Sequence, residues 1–223
     1  MKTLLILLLA LSLSGFDVTH LKTFGEGGYS TSSTPHTEVE STNLKLETAI
    51  KAGITTHKVK GEYNVAKTNN TEYIDYLADY TVLMDPYNVL YTDVILFGKV
   101  KKLYVDQLSY DEESLNGGIV LRPTILKGAI QYRFSYGYDR VLEQTIMKNG
   151  VLGGYINENK NVIWKYSVDW IEKEKQESEE LYKTSFEVKI DKRNSIILKY
   201  AYWKNSFYWY DRNIVAYKIY LID

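Results

Sequence analysis

Three histidines, His20, His36 and His57, are this chain's candidate imidazole bases. Ser32 and Ser33 stand close to His36, so a Ser-His-acid group can be drawn there. It would need the imidazole within reach of a hydroxyl and a carboxylate behind it. The plainer reading of this stretch is a polar turn, and that is the expectation. His36 and His57 with a carboxylate match no zinc-ligand spacing. Cysteine is absent, which excludes a thiol nucleophile, a cysteine-based zinc site and an iron–sulfur cluster. The run Glu172-Lys173-Glu174-Lys175-Gln176-Glu177-Ser178-Glu179-Glu180 offers carboxylates to divalent cations or to lipopolysaccharide. It lacks calcium-loop spacing with a turn glycine, and it reads as a solvated loop. No catalytic residue, metal ligand or cofactor is expected.

The stronger chemical signal is the phase on which charge falls. In Ile130-Gln131-Tyr132-Arg133-Phe134-Ser135-Tyr136-Gly137-Tyr138-Asp139, apolar and aromatic residues alternate with polar ones. Val162, Trp164, Tyr166, Val168 and Trp170 oppose Lys165, Ser167 and Asp169. Tyr182, Phe186, Val188 and Ile190 oppose Lys183, Glu187 and Lys189. Val215, Tyr217, Ile219 and Leu221 oppose Lys218. This period of two marks strands with one polar and one apolar face. Lys45, Glu47, Lys51, Lys58, Lys60, Glu62, Asp75, Asp79, Arg133, Asp139, Lys165, Asp169, Glu187, Lys189, Lys199 and Lys218 all take the polar phase. Facing lipid at a bilayer midplane, each would cost ~2–4 kcal/mol. They are expected to line a lumen, as a small polar pore or as an ion-paired plug. Lysines and carboxylates are mixed, so no strong ion selectivity is expected. Tyr87, Tyr91, Trp164, Trp170, Trp203 and Trp209, with Tyr208 and Tyr210, are placed as aromatic girdles at the two membrane interfaces.

The elements that must hold these residues are long strands. Several alternating segments exceed ten residues, the length a strand needs to cross the hydrocarbon. Only 3 Pro interrupt the chain, while 21 Tyr suit strands and wet–dry boundaries. Turn signals fall near Thr34-Pro35-His36, Ala52-Gly53, Asn69-Asn70, Asp85-Pro86-Tyr87-Asn88, Leu103 to Glu113, Arg122 to Lys127, Arg140 to Gln144, Asn157 to Asn161, Glu172 to Glu180, Asp191 to Asn194, and Lys204 to Arg212. They divide the body into about twelve strands, an even number as in bacterial single-chain barrels. The fifth, ninth and eleventh connections read as long, and the fourth, eighth and tenth as tight. That is the alternation expected of outer loops and periplasmic turns.

The 223 residues suit one β-domain, and 27 basic against 28 acidic residues give no field that would favour nucleic acid. Lys2, the apolar run Leu4-Leu5-Ile6-Leu7-Leu8-Leu9-Ala10-Leu11 and the small residues Ser12 and Ser14 form an export signal over 1–14. The barrel domain is assigned to 15–223. The leader's apolar run is shorter than the ~20 residues a membrane helix needs.

The region from Gly28 onward resembles the domain-of-unknown-function family numbered 481, a family of salt-induced outer-membrane proteins. Gly28-Tyr29-Ser30-Thr31-Ser32-Ser33-Thr34 and the return Glu40-Ser41-Thr42-Asn43-Leu44-Lys45-Leu46 carry the likeness in the first hairpin. Tyr76-Leu77-Ala78-Asp79-Tyr80 and Tyr91 through Val94-Ile95-Leu96-Phe97-Gly98 resemble the family's fourth and fifth strands. Gly117-Gly118 sits where the family carries glycines. Family members usually have Gly-Asn in the first turn, where this chain has Ser33-Thr34-Pro35. The resemblance implies an outer-membrane barrel without catalytic residues.

These readings converge on an all-β fold: an antiparallel up-and-down transmembrane barrel, exported to the bacterial outer membrane. The expected role is a narrow passive pore or a structural component of the envelope. The expected partners are outer-membrane lipid and, during biogenesis, the barrel-assembly machinery; a monomer is expected. Two alternatives follow from the same residues. One is an outer-membrane enzyme acting on lipids or peptides. The other is a soluble lipocalin-like barrel, which requires apolar residues inside and charges outside.

Overall fold

The computed structural model describes residues 18–35, 37–68, 71–105, 110–126, 129–157 and 159–222. The 1–14 leader and His36 lie outside them.

The alternating segments form thirteen strands: β1 Val18–Ser33, β2 Glu38–Ala52, β3 Thr55–Thr68, β4 Thr71–Met84, β5 Tyr87–Val89, β6 Thr92–Val105, β7 Tyr110–Pro123, β8 Ile130–Asp139, β9 Gln144–Ile156, β10 Val162–Lys173, β11 Gln176–Lys189, β12 Asn194–Lys204 and β13 Trp209–Ile222. All pairings are antiparallel, and β13 returns to β1 from Thr23↔Ile222 to Ser33↔Asp211. β4 pairs with β6 from Asp75↔Val105 to Leu83↔Phe97. The short β5 then continues the same lane from Tyr87↔Val94 to Val89↔Thr92. The sheet is therefore a closed ring of twelve strands, with no free edge to pair with another chain. Among the described residues, no helix is long and apolar enough to cross a membrane.

Two sequence expectations are corrected here. The fourth reversal is not at Asp85-Pro86-Tyr87-Asn88. Pro86 has no N–H to give the ladder, so pairing lapses there and Asp85 N donates instead to Ile54 O at 2.7 Å. The chain turns at Leu90-Tyr91, both left-handed with φ of 47° and 63°. The alternation of long and short connections also fails. The acidic ninth connection is a two-residue turn, Glu174-Lys175, because Lys173 pairs with Gln176 and the strands continue through the charges. Lys173 Nζ lies 2.5 Å from Glu179 Oε1 across that pair, and Thr145 N and Oγ1 donate to Glu174 Oε2. Opposite charges facing each other let strands extend beyond the wall into water. The eleventh connection shrinks to 205–208, while the sixth, 124–129, carries a 3₁₀ turn at Thr124–Leu126.

The wall is inverted relative to a soluble domain. Five buried residues are apolar and fourteen are polar or charged among those described, so the interior is not an oily core. That excludes the apolar interior of a lipocalin-like barrel. Leu44, Leu46, Leu96, Leu115, Leu198 and Val215 stand exposed on the convex wall instead. On that wall, Glu40, Lys67, Glu72 and Lys102 gather toward one rim, the far rim, where β2, β4 and β12 meet their odd-numbered turns. The opposite, near rim holds the first residue of β1 and the last of β13.

Candidate lumen of the barrel

The strand registers settle which way each charged residue points. Asp169, with 1% of its surface exposed, fixes the inner phase of β10, and Lys165 shares it. Asp169 pairs with Gly150 and Gly150 with Arg133, so the three share one inner row. Having no side chain, Gly150 lets the guanidinium reach over it: Arg133 Nη2 donates to Asp169 Oδ1 at 2.6 Å. A Cβ at Gly150 would lie 2.2 Å from that same oxygen. Lys148 Nζ approaches the second oxygen of Asp169 at 3.4 Å.

The same counting puts Lys45, Glu47, Lys51, Lys58, Lys60, Glu62, Asp75, Asp79, Asp139, Glu187, Lys189, Lys199 and Lys218 on the inner phase. Most are tied to an inner neighbour. Lys45 and Glu47 are 2.9 Å apart, Lys60 and Glu62 2.6 Å, Lys51 and Asp85 2.9 Å, and Lys99 and Asp79 2.5 Å. Lys199 pairs with Glu26 across the β1–β13 seam. Near the same seam, Tyr220 donates to Glu187 at 2.7 Å and accepts from Lys218 at 2.8 Å. Lys218 also lies over the rings of Phe24 and Tyr220, at 4.2 and 4.3 Å, and Lys189 over Tyr220 at 5.6 Å. Asp139 does turn work, accepting from Val141 N and Leu142 N. Arg212 reaches Ser30, Ser41 and Asn64 at 3.1 to 3.4 Å.

Sequence reasoning missed Glu26, Lys99, Lys148 and Arg212. Glu26 is hidden among Gly25, Gly27 and Gly28, which show no alternation. Lys99 sits beside Val100 in a lysine-rich run whose members split between phases. Lys148 falls between Met147 and Asn149. Arg212 lies in a stretch read as loop.

The aromatic residues divide by rim. Tyr87, Tyr91 and Trp164 lie toward the near rim, and Trp170 and Trp209 toward the far rim, all exposed. Exposed Tyr132 and Tyr155 join the first group and Tyr104 and Tyr138 the second. Trp203 corrects the expected girdle. It takes the inner phase, opposite Leu181, and its Nε1 donates to Glu179 at 3.0 Å. An indole that must spend its N–H finds the carboxylate inside.

The imidazole of the candidate Ser-His group, His36, lies outside the described residues. His57 is on the convex phase, its ring nitrogens 2.8 Å from Thr55 Oγ1 and from Tyr80 Oη. Ser32 is buried on the inner phase and Ser33 N donates to Asp211. Among the described residues, no group of three His, Asp or Glu could hold a metal ion. At the turns beyond the wall, the Asn194 amide and the N–H groups of Arg193 and Asn194 hold the Asp191 carboxyl below its usual range. The Thr145 N–H and hydroxyl do the same for Glu174.

A cavity of about 1200 Å³ runs inside the ring. Leu126, Ala129, Ile156 and Ile163 line it toward the near rim, and it reaches Asp169, Lys183 and Arg212. Lys165 and Lys183 are exposed to it.

A closed single-chain ring, apolar without and charged within, has the fold class of the outer-membrane β-barrels. An outer membrane channel from Pseudomonas putida F1 shares the fold with a TM-score of 0.64 at 10% identity, over 92% of this chain and 97% of that one. The translocator domain of the autotransporter NalP from Neisseria meningitidis aligns with a TM-score of 0.48 at 9% identity, over 98% of this chain and 95% of that one. No family model and no curated protein matches the sequence.

Proposed function

We propose that this chain is a bacterial outer-membrane β-barrel that serves as a narrow passive pore for small polar solutes. The observation that carries this reading is the 1200 Å³ cavity, enclosed by a closed ring with a charged inner wall and an apolar convex wall. Only a lumen kept from lipid makes such a distribution cheap. A channel among the structural neighbours supports it. In this reading the protein sits as a monomer in outer-membrane lipid, delivered by the barrel-assembly machinery after removal of the 1–14 leader; closure of the ring by one chain is compatible with it. No catalytic step is assigned. Membership of the family numbered 481 belongs to the same reading, supported by Gly28–Thr34, which completes β1 and enters its turn, and by Tyr76–Tyr80 in β4.

Single-channel recording on the purified, refolded protein in planar bilayers tests the proposal. Discrete current steps are expected. Folded protein that carries no current at any applied voltage would leave a structural plug as the role.

A further inference from the structure

The residues around the cavity are not balanced in charge. Eight cationic side chains line it against three carboxylates, Glu26, Glu62 and Asp169. The chain as a whole carries a formal charge of −1, so the balancing acids lie elsewhere. Each lining carboxylate is already engaged: Glu62 with Lys60 at 2.6 Å, Glu26 with Lys199, and Asp169 with both Arg133 and Lys148. Lys58, Lys165 and Lys183 line the same space with no ion pair among the described residues. Lys165 and Lys183 are diagonal neighbours on the adjacent strands β10 and β11, and Lys58 comes from β3, so the excess occupies two parts of the wall. A lumen with an excess of one sign of charge between low-dielectric walls concentrates counter-ions within it.

We infer that the passage favours anionic solutes, small carboxylates and phosphates, over cations, and that Lys58, Lys165 and Lys183 set the preference. The inference rests on the pore reading above. The sequence suggested no strong selectivity because lysines and carboxylates are mixed on the polar phase. The preference arises from which cations find a carboxylate and which do not.

The test is the zero-current potential of the refolded protein in a planar bilayer under a KCl gradient. A potential of the sign given by chloride permeation is expected. Inorganic tripolyphosphate should reduce the chloride current, whereas spermine should not. Replacing all three residues (Lys58→Glu, Lys165→Glu, Lys183→Glu) should reverse the sign. The milder Lys58→Gln, Lys165→Gln, Lys183→Gln set should shrink the potential if the first variant does not fold. Current with no preference, or with a cation preference, overturns the inference and leaves the pore standing. Current whose anion preference survives the glutamine set overturns the assignment to these lysines. Absence of any current from folded protein overturns the pore itself.

Discussion

Asp169 shows how a single residue can organise an interior. Its two oxygens take Arg133 from β8 and Lys148 from β9, while it stays almost wholly buried. Removing it would leave two cations without their anion, which costs more than the pair itself contributes. Asp169→Leu should lower unfolding stability by ~2–3 kcal/mol, at or below the range for breaking a buried pair because both cations border lumen water. Urea titration in detergent would measure it, and an unchanged midpoint would contradict the account. Tyr91 invites the opposite result. It holds a left-handed conformation at a two-residue turn, where a Cβ costs about 1–2 kcal/mol. Tyr91→Gly should therefore raise the midpoint of the same titration, and a lowered midpoint would contradict the strain at this turn. Asp191 carries a pH dependence. Its folded carboxyl lies below the usual range, so its hydrogen bonds to the turn are fully present above about pH 3.9 and are lost as the pH falls through the folded value. A carboxyl titration followed by NMR should show a midpoint below that of a free aspartate, and Asn194→Ala should move it upward. At this scale the sequence was half legible. Asp169 and Arg133 were visible as members of a polar phase. Their pairing over Gly150 was not, because it depends on register.

A strand's alternation predicts its own failure modes. Leu198 lies exposed on the convex phase of β12, and Ser167 on the inner phase of β10. Leu198→Lys should destabilise the barrel in lipid by ~2–4 kcal/mol, the cost of a charge facing hydrocarbon near the midplane. Ser167→Lys adds the same charge toward water and should cost much less. Similar losses for the two would contradict the assignment of faces. The long strands were legible because two-residue periodicity survives over more than ten positions, as in β8 and β10. The turns were less so. The acidic stretch Glu172 to Glu180 looked like a loop because charge runs usually are solvated. Solvation and strand pairing are compatible where a wall projects past the hydrocarbon, and Lys173 with Glu179 used that freedom. Trp203 erred for the same reason: a rim aromatic can serve either face, and the acceptor at Glu179 decided it.

For the molecule as a whole, closure is the property that sequence parity conveyed, since an even set of strands can bring the first and last together. The cavity and its surplus of lysine were out of reach, being set by diagonal contacts among strands distant in the chain. A closed ring of this kind should resist detergent. Without heating, the protein should migrate on an SDS gel as a compact band, distinct from the heated chain, and a single mobility at all temperatures would argue against closure. The seam has one more implication. β1 meets its second neighbour only in β13, the last strand of the chain. Until β13 docks on β1, two raw margins of hydrogen-bonding backbone remain, each able to recruit a sister molecule. A prematurely terminated copy would therefore be worse than inert. It would seed clumps in the compartment it passes through, and a cell making this protein needs an escort that does not let go before the seam has closed.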